Sequence, residues 1–145
     1  MEKVRWGILG TANIARWGTI PGMKLAKNCE LYAIAGRSEQ KAKKYCEDFG
    51  FKKFYCSYDE LLQDKDVEAV YIPLPNNLHL EWVKKALSAK KHVLCEKPLA
   101  INADEAKQMY DCAKENGVHL MEAYAYLHSP YVKSLVNDVK SGIIG

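Results

Sequence analysis

Short apolar runs alternate along the chain with longer stretches whose apolar positions recur every three or four residues. The short runs predict buried strands, and they lie at 4–9, 31–35, 53–56, 68–73, 91–95 and 118–121. The longer stretches predict helices, and they lie at 13–27, 39–49, 58–62, 78–89, 103–116 and 129–141. Strands that alternate with helices are typical of a parallel sheet covered on both faces. The pattern therefore predicts an α/β fold, a Rossmann-type doubly wound parallel sheet of about six strands in the order 3-2-1-4-5-6.

Local signals set the expected ends of the helices. Ser38 and Asn102 are good N-caps for the second and fifth helices, and Gly50 and Gly117 are good stops. Residues 57–60 (SYDE) form a capping box before the short third helix. Gly18 and Pro21 interrupt the first helical stretch, so we expect a short helix, a break and a second piece that starts near Pro21.

Composition excludes several classes of protein. The chain has 145 residues, of which 48% are hydrophobic and 27% charged. Its net charge is +3, and its basic residues are scattered along the chain and form no basic block. We therefore expect no nucleic-acid partner, and the absence of a long apolar stretch predicts no membrane span. The five cysteines are widely spaced without a CxxC pair, which favours reduced thiols in a cytoplasmic protein over a disulfide framework or a metal site.

The turn after the first strand has the pattern of a phosphate-binding loop. Residues 10–15 (GTANIA) match G-x-G-x-x-G/A, with Ala12 in place of the second glycine. Such a turn directs free N–H groups and the positive end of a helix dipole at a pyrophosphate. The predicted cofactor contacts here are Gly10, Thr11, Ala12, Asn13 and Ile14. The alternative is a glycine turn that binds nothing.

The end of the second strand indicates which dinucleotide is preferred. An acidic residue there would bind the ribose 2′-hydroxyl of NAD, whereas an arginine accommodates the 2′-phosphate of NADP. The chain has Arg37 and Ser38 at this point, and we place Glu30 before the strand, at its other end. We therefore predict NADP as the preferred cofactor, with NAD as the alternative. Arg37 could instead stack on adenine without selecting between the two.

Two further loops follow the fourth and fifth strands and should reach the same crevice. The first, residues 73–79 (PLPNNLH), offers Asn76 or Asn77 as a helix cap and supplies Pro73, Leu74, Asn76 and His79 as expected cofactor contacts. For His79, a structural hydrogen bond to the loop is favoured over direct catalysis. The second loop, Glu96-Lys97-Pro98, places Lys97 where it can donate a hydrogen bond to a substrate oxygen, with Glu96 as its orienting neighbour. A surface salt bridge is the alternative.

Taken in order, GILGTANIA, AGRS, YIPLPNNLHLEW, HVLCEKPLA and MEAY resemble the N-terminal domain of the Gfo/Idh/MocA family, with dihydrodiol dehydrogenase-like members the most similar. The resemblance implies that Lys97 contacts both substrate and nicotinamide, and that Asn76 and His79 are the family's asparagine and histidine. It also implies a cis bond before Pro98. Lys90 stands where members often have glycine, so a left-handed conformation is expected there. Leu127 and Ser129 replace an arginine and a histidine, which weakens the case for substrate contacts from that segment.

The resemblance divides the chain into a dinucleotide-binding Rossmann domain at 1–122 and a connecting segment with a helix at 123–145. We expect the second, substrate-binding domain to be absent, together with the catalytic histidine that the family draws from it. The parent enzyme would transfer hydride between a nicotinamide and a sugar, polyol or diol carbon, with Lys97 as the catalytic residue. The chain alone should bind cofactor but be weakly active or inactive. The alternative is a catalytically inactive NADP(H)-binding or protein-interaction module, and in either case a homo-oligomer, possibly a dimer, is expected.

Overall fold

In the part of the chain that the structure describes, six parallel strands form one sheet in the order β3-β2-β1-β4-β5-β6, which confirms the predicted topology. The computed structural model describes residues 2–143. The strands are β1 (Val4–Leu9), β2 (Cys29–Ala35), β3 (Lys53–Tyr55), β4 (Ala69–Ile72), β5 (His92–Cys95) and β6 (Leu120–Glu122). Because all strands run in one direction, every loop that follows a strand emerges at the same edge of the sheet.

Within residues 2–143, six α-helices connect or follow the strands. They are α1 (Ile20–Leu25), α2 (Glu39–Phe49), α3 (Tyr58–Gln63), α4 (His79–Ser88), α5 (Ala103–Asn116) and α6 (Pro130–Lys140). The predicted caps of α2 and α5 are confirmed: Ser38 Oγ accepts from the amide of Lys41, and Asn102 Oδ1 accepts from the amide of Glu105. Only half of the expected capping box forms at α3, where Ser57 Oγ accepts a hydrogen bond from the amide of Asp59.

Alternating side chains divide the core between the two faces of the sheet. Ile8, Ile34 and Tyr71 point to the face covered by α1 and α2. Their strand neighbours, such as Leu9 and Ile72, point to the face covered by α3, α4 and α5. Both layers are fully excluded from solvent at their centres, so the strands are apolar on both sides, as buried parallel strands are.

Three sequence predictions need correction. β2 begins at Cys29, so Glu30 lies inside the strand, although still at its amino end. The expected break in the first helix is a π-helical turn, Ala15–Thr19, in which the amide of Ile20 bonds to the carbonyl of Ala15. Pro21 has no N–H, so the helical hydrogen-bond register changes next to it without interrupting the helix. Neither asparagine caps α4; a 3₁₀ turn, Asn76–Leu78, precedes that helix instead, without a side-chain cap.

Lys90 adopts the expected left-handed conformation, with φ of 61°. Its amide donates to the carbonyl of Leu87, and the amide of Lys91 donates to that of Ala86, which closes α4 in a Schellman-type turn. The turn directs the chain straight into β5.

The α1 and α2 face is left open beyond β4. Leu94 and Met121 point to that side and line a groove that no helix among the described residues covers. Helix α6 packs chiefly on the 3₁₀ turn before it, Ala125–His128, and none of its residues is buried. None of the helices within residues 2–143 is both long enough and apolar enough to span a membrane.

Candidate dinucleotide site

The loop after β1 turns sharply at Gly10 and enters a helix. Gly10 has φ of +111°, a backbone conformation that residues with a side chain rarely adopt. A Cβ added there would lie 3.1 Å from Cδ2 of Leu74. The carbonyl of Ala12 accepts from the amides of Ala15 and Arg16, so the helix begins directly behind the turn. Amides in the first turn of a helix have no acceptor within the helix, and they suit a phosphate.

The loops after β1 and β2 are joined by an extension of the sheet ladder. The amide of Gly10 donates to the carbonyl of Ala35 at 2.8 Å, and the amide of Gly36 donates to that of Tyr55 at 3.1 Å. A Cβ on Gly36 would lie 3.3 Å from Cγ2 of Thr11, so the two loops are in close contact.

A cavity of about 270 Å³ lies between these two loops and the loop after β4. Its lining includes seven predicted site residues: Gly10, Thr11, Ala12, Arg37, Ser38, Pro73 and Leu74. It also includes Lys41, which the sequence analysis missed, although Lys41 lies one helical turn after Arg37 in the first turn of α2. No carboxylate lines the cavity, so its two cations favour an anionic ligand.

Glu30 is remote from this cavity. It lies near the start of β2, where its carboxylate forms an ion pair with the ammonium group of Lys52. The described part of the chain therefore offers no acidic partner for a ribose 2′-hydroxyl at the end of β2.

The open groove on the sheet has a volume of about 830 Å³ and is mostly apolar. Glu96 and Lys97 are among its few charged residues, and Ile14 and Thr19 line it from the helical segment that follows the glycine loop. Because Ala12 lines the smaller cavity and Ile14 lines the groove, the first helical turn separates the two spaces. A ligand that occupied both would pass over that turn.

His79 does not line either space. Its side chain is completely buried, with Nε2 2.8 Å from the carbonyl oxygen of Leu74 and Nδ1 3.1 Å from those of Pro98 and Leu99. The ring thus joins the loop after β4 to the loop after β5. This position supports the structural interpretation of His79, and it leaves no free ring nitrogen for a cofactor contact.

Hydrogen bonds from β4 and β6 also hold the loop that carries Lys97. Tyr71, from β4, donates its hydroxyl to Oε1 of Glu96 at 2.5 Å, and the backbone amide of Lys97 donates to Oε2 at 3.2 Å. Glu122, from the end of β6, accepts from the amide of Leu99 at 2.7 Å. The peptide bond before Pro98 is cis, as expected. Glu96 thus contacts the backbone of Lys97, and the ammonium group of Lys97 stays exposed.

Asn13 and Asn76 are exposed residues that line neither the cavity nor the groove.

Sequence reasoning also missed Tyr71 and Glu122, whose partners lie 25 and 23 residues away in the chain. The only sequence signal for Glu122 was its place in the MEAY motif.

Cys95, which ends β5, is a buried cysteine at this edge of the sheet. All five cysteines are unpaired, and burial raises the pKa of the Cys95 thiol, next to Glu96, to about 12. A thiol with that pKa is a poor nucleophile. Within residues 2–143, no group of three or more histidine, cysteine or acidic side chains is arranged to hold a metal ion.

Residues 4–124 match a family model described as an oxidoreductase family with an NAD-binding Rossmann fold. The chain is 43% identical over 136 residues to D-xylose 1-dehydrogenase (NADP(+)) 2 of Haloferax volcanii, a match that covers 94% of the chain and 42% of that protein. It is 39% identical over 144 residues to the dTDP-3,4-didehydro-2,6-dideoxy-alpha-D-glucose 3-reductase of Actinomadura kijaniata, covering 99% and 43%.

Among solved structures, a 3-ketoreductase from Actinomadura kijaniata in complex with NADP and TDP-benzene matches with a TM-score of 0.93 at 39% identity. The match covers 99% of this chain and 44% of that one. The chain therefore spans less than half the length of these relatives.

Replacing His79 with alanine should lower the free energy of unfolding by about 2–3 kcal/mol, because a buried carbonyl group loses its donor and the ring no longer packs between the two loops. Chemical denaturation measures the change. His128→Ala, at an exposed position, is the matched control and should stay within about 0.5 kcal/mol of the parent. Equal stability of the two variants would contradict the role of His79 as a bridge between the loops.

Proposed function

Because the chain belongs to the Gfo/Idh/MocA family of oxidoreductases and is an NAD(P)-binding Rossmann domain, we propose that it serves an enzyme acting on a sugar, polyol or diol. That enzyme transfers hydride between NADP and a carbon that bears a hydroxyl or carbonyl oxygen. The single observation that carries the proposal is the meeting of the loops after β1, β2, β4 and β5 at one edge of the sheet.

The residues at this edge fit an extended dinucleotide. Gly10 leaves a space that a side chain would fill, and the amides behind it suit a pyrophosphate. Arg37 and Lys97 follow strands that are three positions apart in the sheet, which separates their loops by about 14 Å at the usual strand spacing. One ligand could therefore lie with its adenosine end in the small cavity and its nicotinamide end at the groove.

NADP is the preferred cofactor in this proposal. Arg37, Ser38 and Lys41 would hold the 2′-phosphate, because they supply two cations and a hydroxyl where a NAD-specific site has an acid. Ser38 Oγ accepts from the amide of Lys41, so its hydroxyl hydrogen remains available to a phosphate oxygen. The H. volcanii relative carries NADP(+) in its name, and the A. kijaniata structure contains NADP.

Lys97 is the catalytic residue that this chain would contribute. When bound, the nicotinamide supplies or accepts the hydride. The exposed ammonium group of Lys97, at the mouth of the groove, donates a hydrogen bond to the substrate oxygen and stabilises negative charge there. Glu96 fixes the backbone from which Lys97 projects.

The segment at 123–145 would connect the Rossmann domain at 1–122 to further protein. Tyr131, Leu135, Val136 and Val139 of α6 are all exposed, and apolar surface of this kind usually meets a partner. The proposal places a homodimer contact on α6, in a cytoplasmic protein. The same surface supports the second candidate function, a catalytically inactive NADP(H)-binding or protein-interaction module.

At equal concentrations, NADP⁺ should raise the melting temperature of the chain more than NAD⁺ does. The double variant Arg37→Ala/Lys41→Ala should bind NADP⁺ at least about tenfold more weakly, because charged contacts to the 2′-phosphate are lost. Its affinity for NAD⁺ should change little. Thermal shift and calorimetry measure both effects.

Lys43→Ala is the control, because Lys43 is an exposed lysine on α2 that does not line the cavity. A clear preference for NAD⁺, or an equal loss of both cofactors in the double variant, would refute the assignment of NADP.

Gel filtration should show the chain self-associating through α6, and Leu135→Glu/Val139→Glu should convert it to a monomer without loss of NADP binding. Both positions are exposed, so the fold should tolerate the charges. The control is Lys133→Glu/Lys140→Glu, which places two glutamates at positions of α6 that are exposed and already charged. A monomeric parent chain would argue against the dimer contact.

A further inference from the structure

Tyr71 lies at the junction of the core and the groove. Its fully buried side chain belongs to the core cluster under α1 and α2, together with Ile8, Ile34 and Tyr45. Most members of that cluster are purely apolar, whereas the hydroxyl of Tyr71 reaches the carboxylate of Glu96. A buried phenol that ends on a carboxylate at a cavity wall has a directional role that packing alone does not require.

The carboxylate of Glu96 has one partner on each oxygen. Oε1 accepts from Tyr71, and Oε2 accepts from the backbone amide of Lys97. The backbone amide of Glu96 donates to the carbonyl of Ile72 at 3.1 Å, which continues the ladder between β4 and β5. The carboxylate of Glu96 is therefore held in place at the wall of the groove by two hydrogen bonds.

The phenol is a permanent donor in this pair. Burial and the hydrogen bond to Glu96 raise the pKa of Tyr71 above its usual value, so the hydroxyl keeps its proton at neutral pH. Thr19, in the π-helical turn, lies beside the phenol and acts in the opposite direction on the pKa. The wider turn thus brings a hydroxyl to the same point, next to the wall of the groove.

We propose that Tyr71 is a positioning residue for the nicotinamide end of the site: it fixes Glu96, and through Glu96 the backbone of Lys97. The proposal rests on the dinucleotide-binding function above and extends it to a residue that never touches the cofactor. It follows that Tyr71 governs only one half of the site, because the contacts of Arg37, Ser38 and Lys41 lie in the other cavity.

The test compares two ligands that share the adenosine 2′-phosphate but differ in the nicotinamide. Tyr71→Phe should bind NADPH about three- to tenfold more weakly than the parent chain, because Glu96 and the backbone of Lys97 are no longer preorganised for the nicotinamide. It should bind adenosine 2′,5′-bisphosphate as the parent does. The fluorescence of bound NADPH should also change, since it reports the surroundings of the reduced nicotinamide.

Tyr45→Phe is the matched control, because it removes a hydroxyl from the same cluster without affecting Glu96. A double-mutant cycle separates positioning from packing: in a Glu96→Ala background, Tyr71→Phe should have no further effect on NADPH affinity. Circular dichroism verifies that each variant is folded.

Unchanged NADPH binding by Tyr71→Phe would overturn the proposal, and so would an equal loss of both ligands or additive effects in the cycle. If the parent chain bound neither ligand, the proposed function itself would fail. That result is distinguishable, because it does not involve the variant.

Discussion

Parallel pairing of β2, β1, β4 and β5 is the constraint on which the site depends. Each of these strands ends at the same edge of the sheet, and backbone hydrogen bonds continue past the strand ends, from Gly10 to Ala35 and from Glu96 to Ile72. The loops are therefore placed by the sheet itself. Residues that are more than 80 positions apart in the chain, such as Gly10 and Lys97, meet at one edge because of the register of the strands.

Side chains from three other elements then hold the loop that carries Lys97. Tyr71 from β4 reaches Glu96, His79 from α4 reaches the carbonyls of Pro98 and Leu99, and Glu122 from β6 reaches the amide of Leu99. His79 and Glu122 are ionisable side chains that contact backbone groups of this loop. Removing such polar groups from water costs free energy unless their atoms form hydrogen bonds. All buried side-chain nitrogen and oxygen atoms of residues 2–143 do have partners. The loop can thus present an exposed lysine from a rigid base.

Features with a local cause were predictable from sequence, and features with a distant cause were not. Caps such as Ser38 and Asn102 depend on residues three positions away, whereas the left-handed turn at Lys90 was expected only from the family resemblance. The hydrogen bonds of Tyr71 and Glu122 join separate strands, so no short pattern reveals them. Glu30 shows a further limit, because only its pairing with Arg5 of β1, a distant residue, shows that it belongs to the strand and not to the preceding loop.

The most direct test of one nucleotide spanning the sheet edge is a titration of the ¹⁵N-labelled chain with NADP⁺, followed by NMR. The amides of Gly10–Ile14, Gly36–Arg37 and Glu96–Lys97 should all shift, and all should fit one dissociation constant. Shifts confined to one of these loops, or different constants for the loops, would contradict a single ligand bound across β2, β1, β4 and β5.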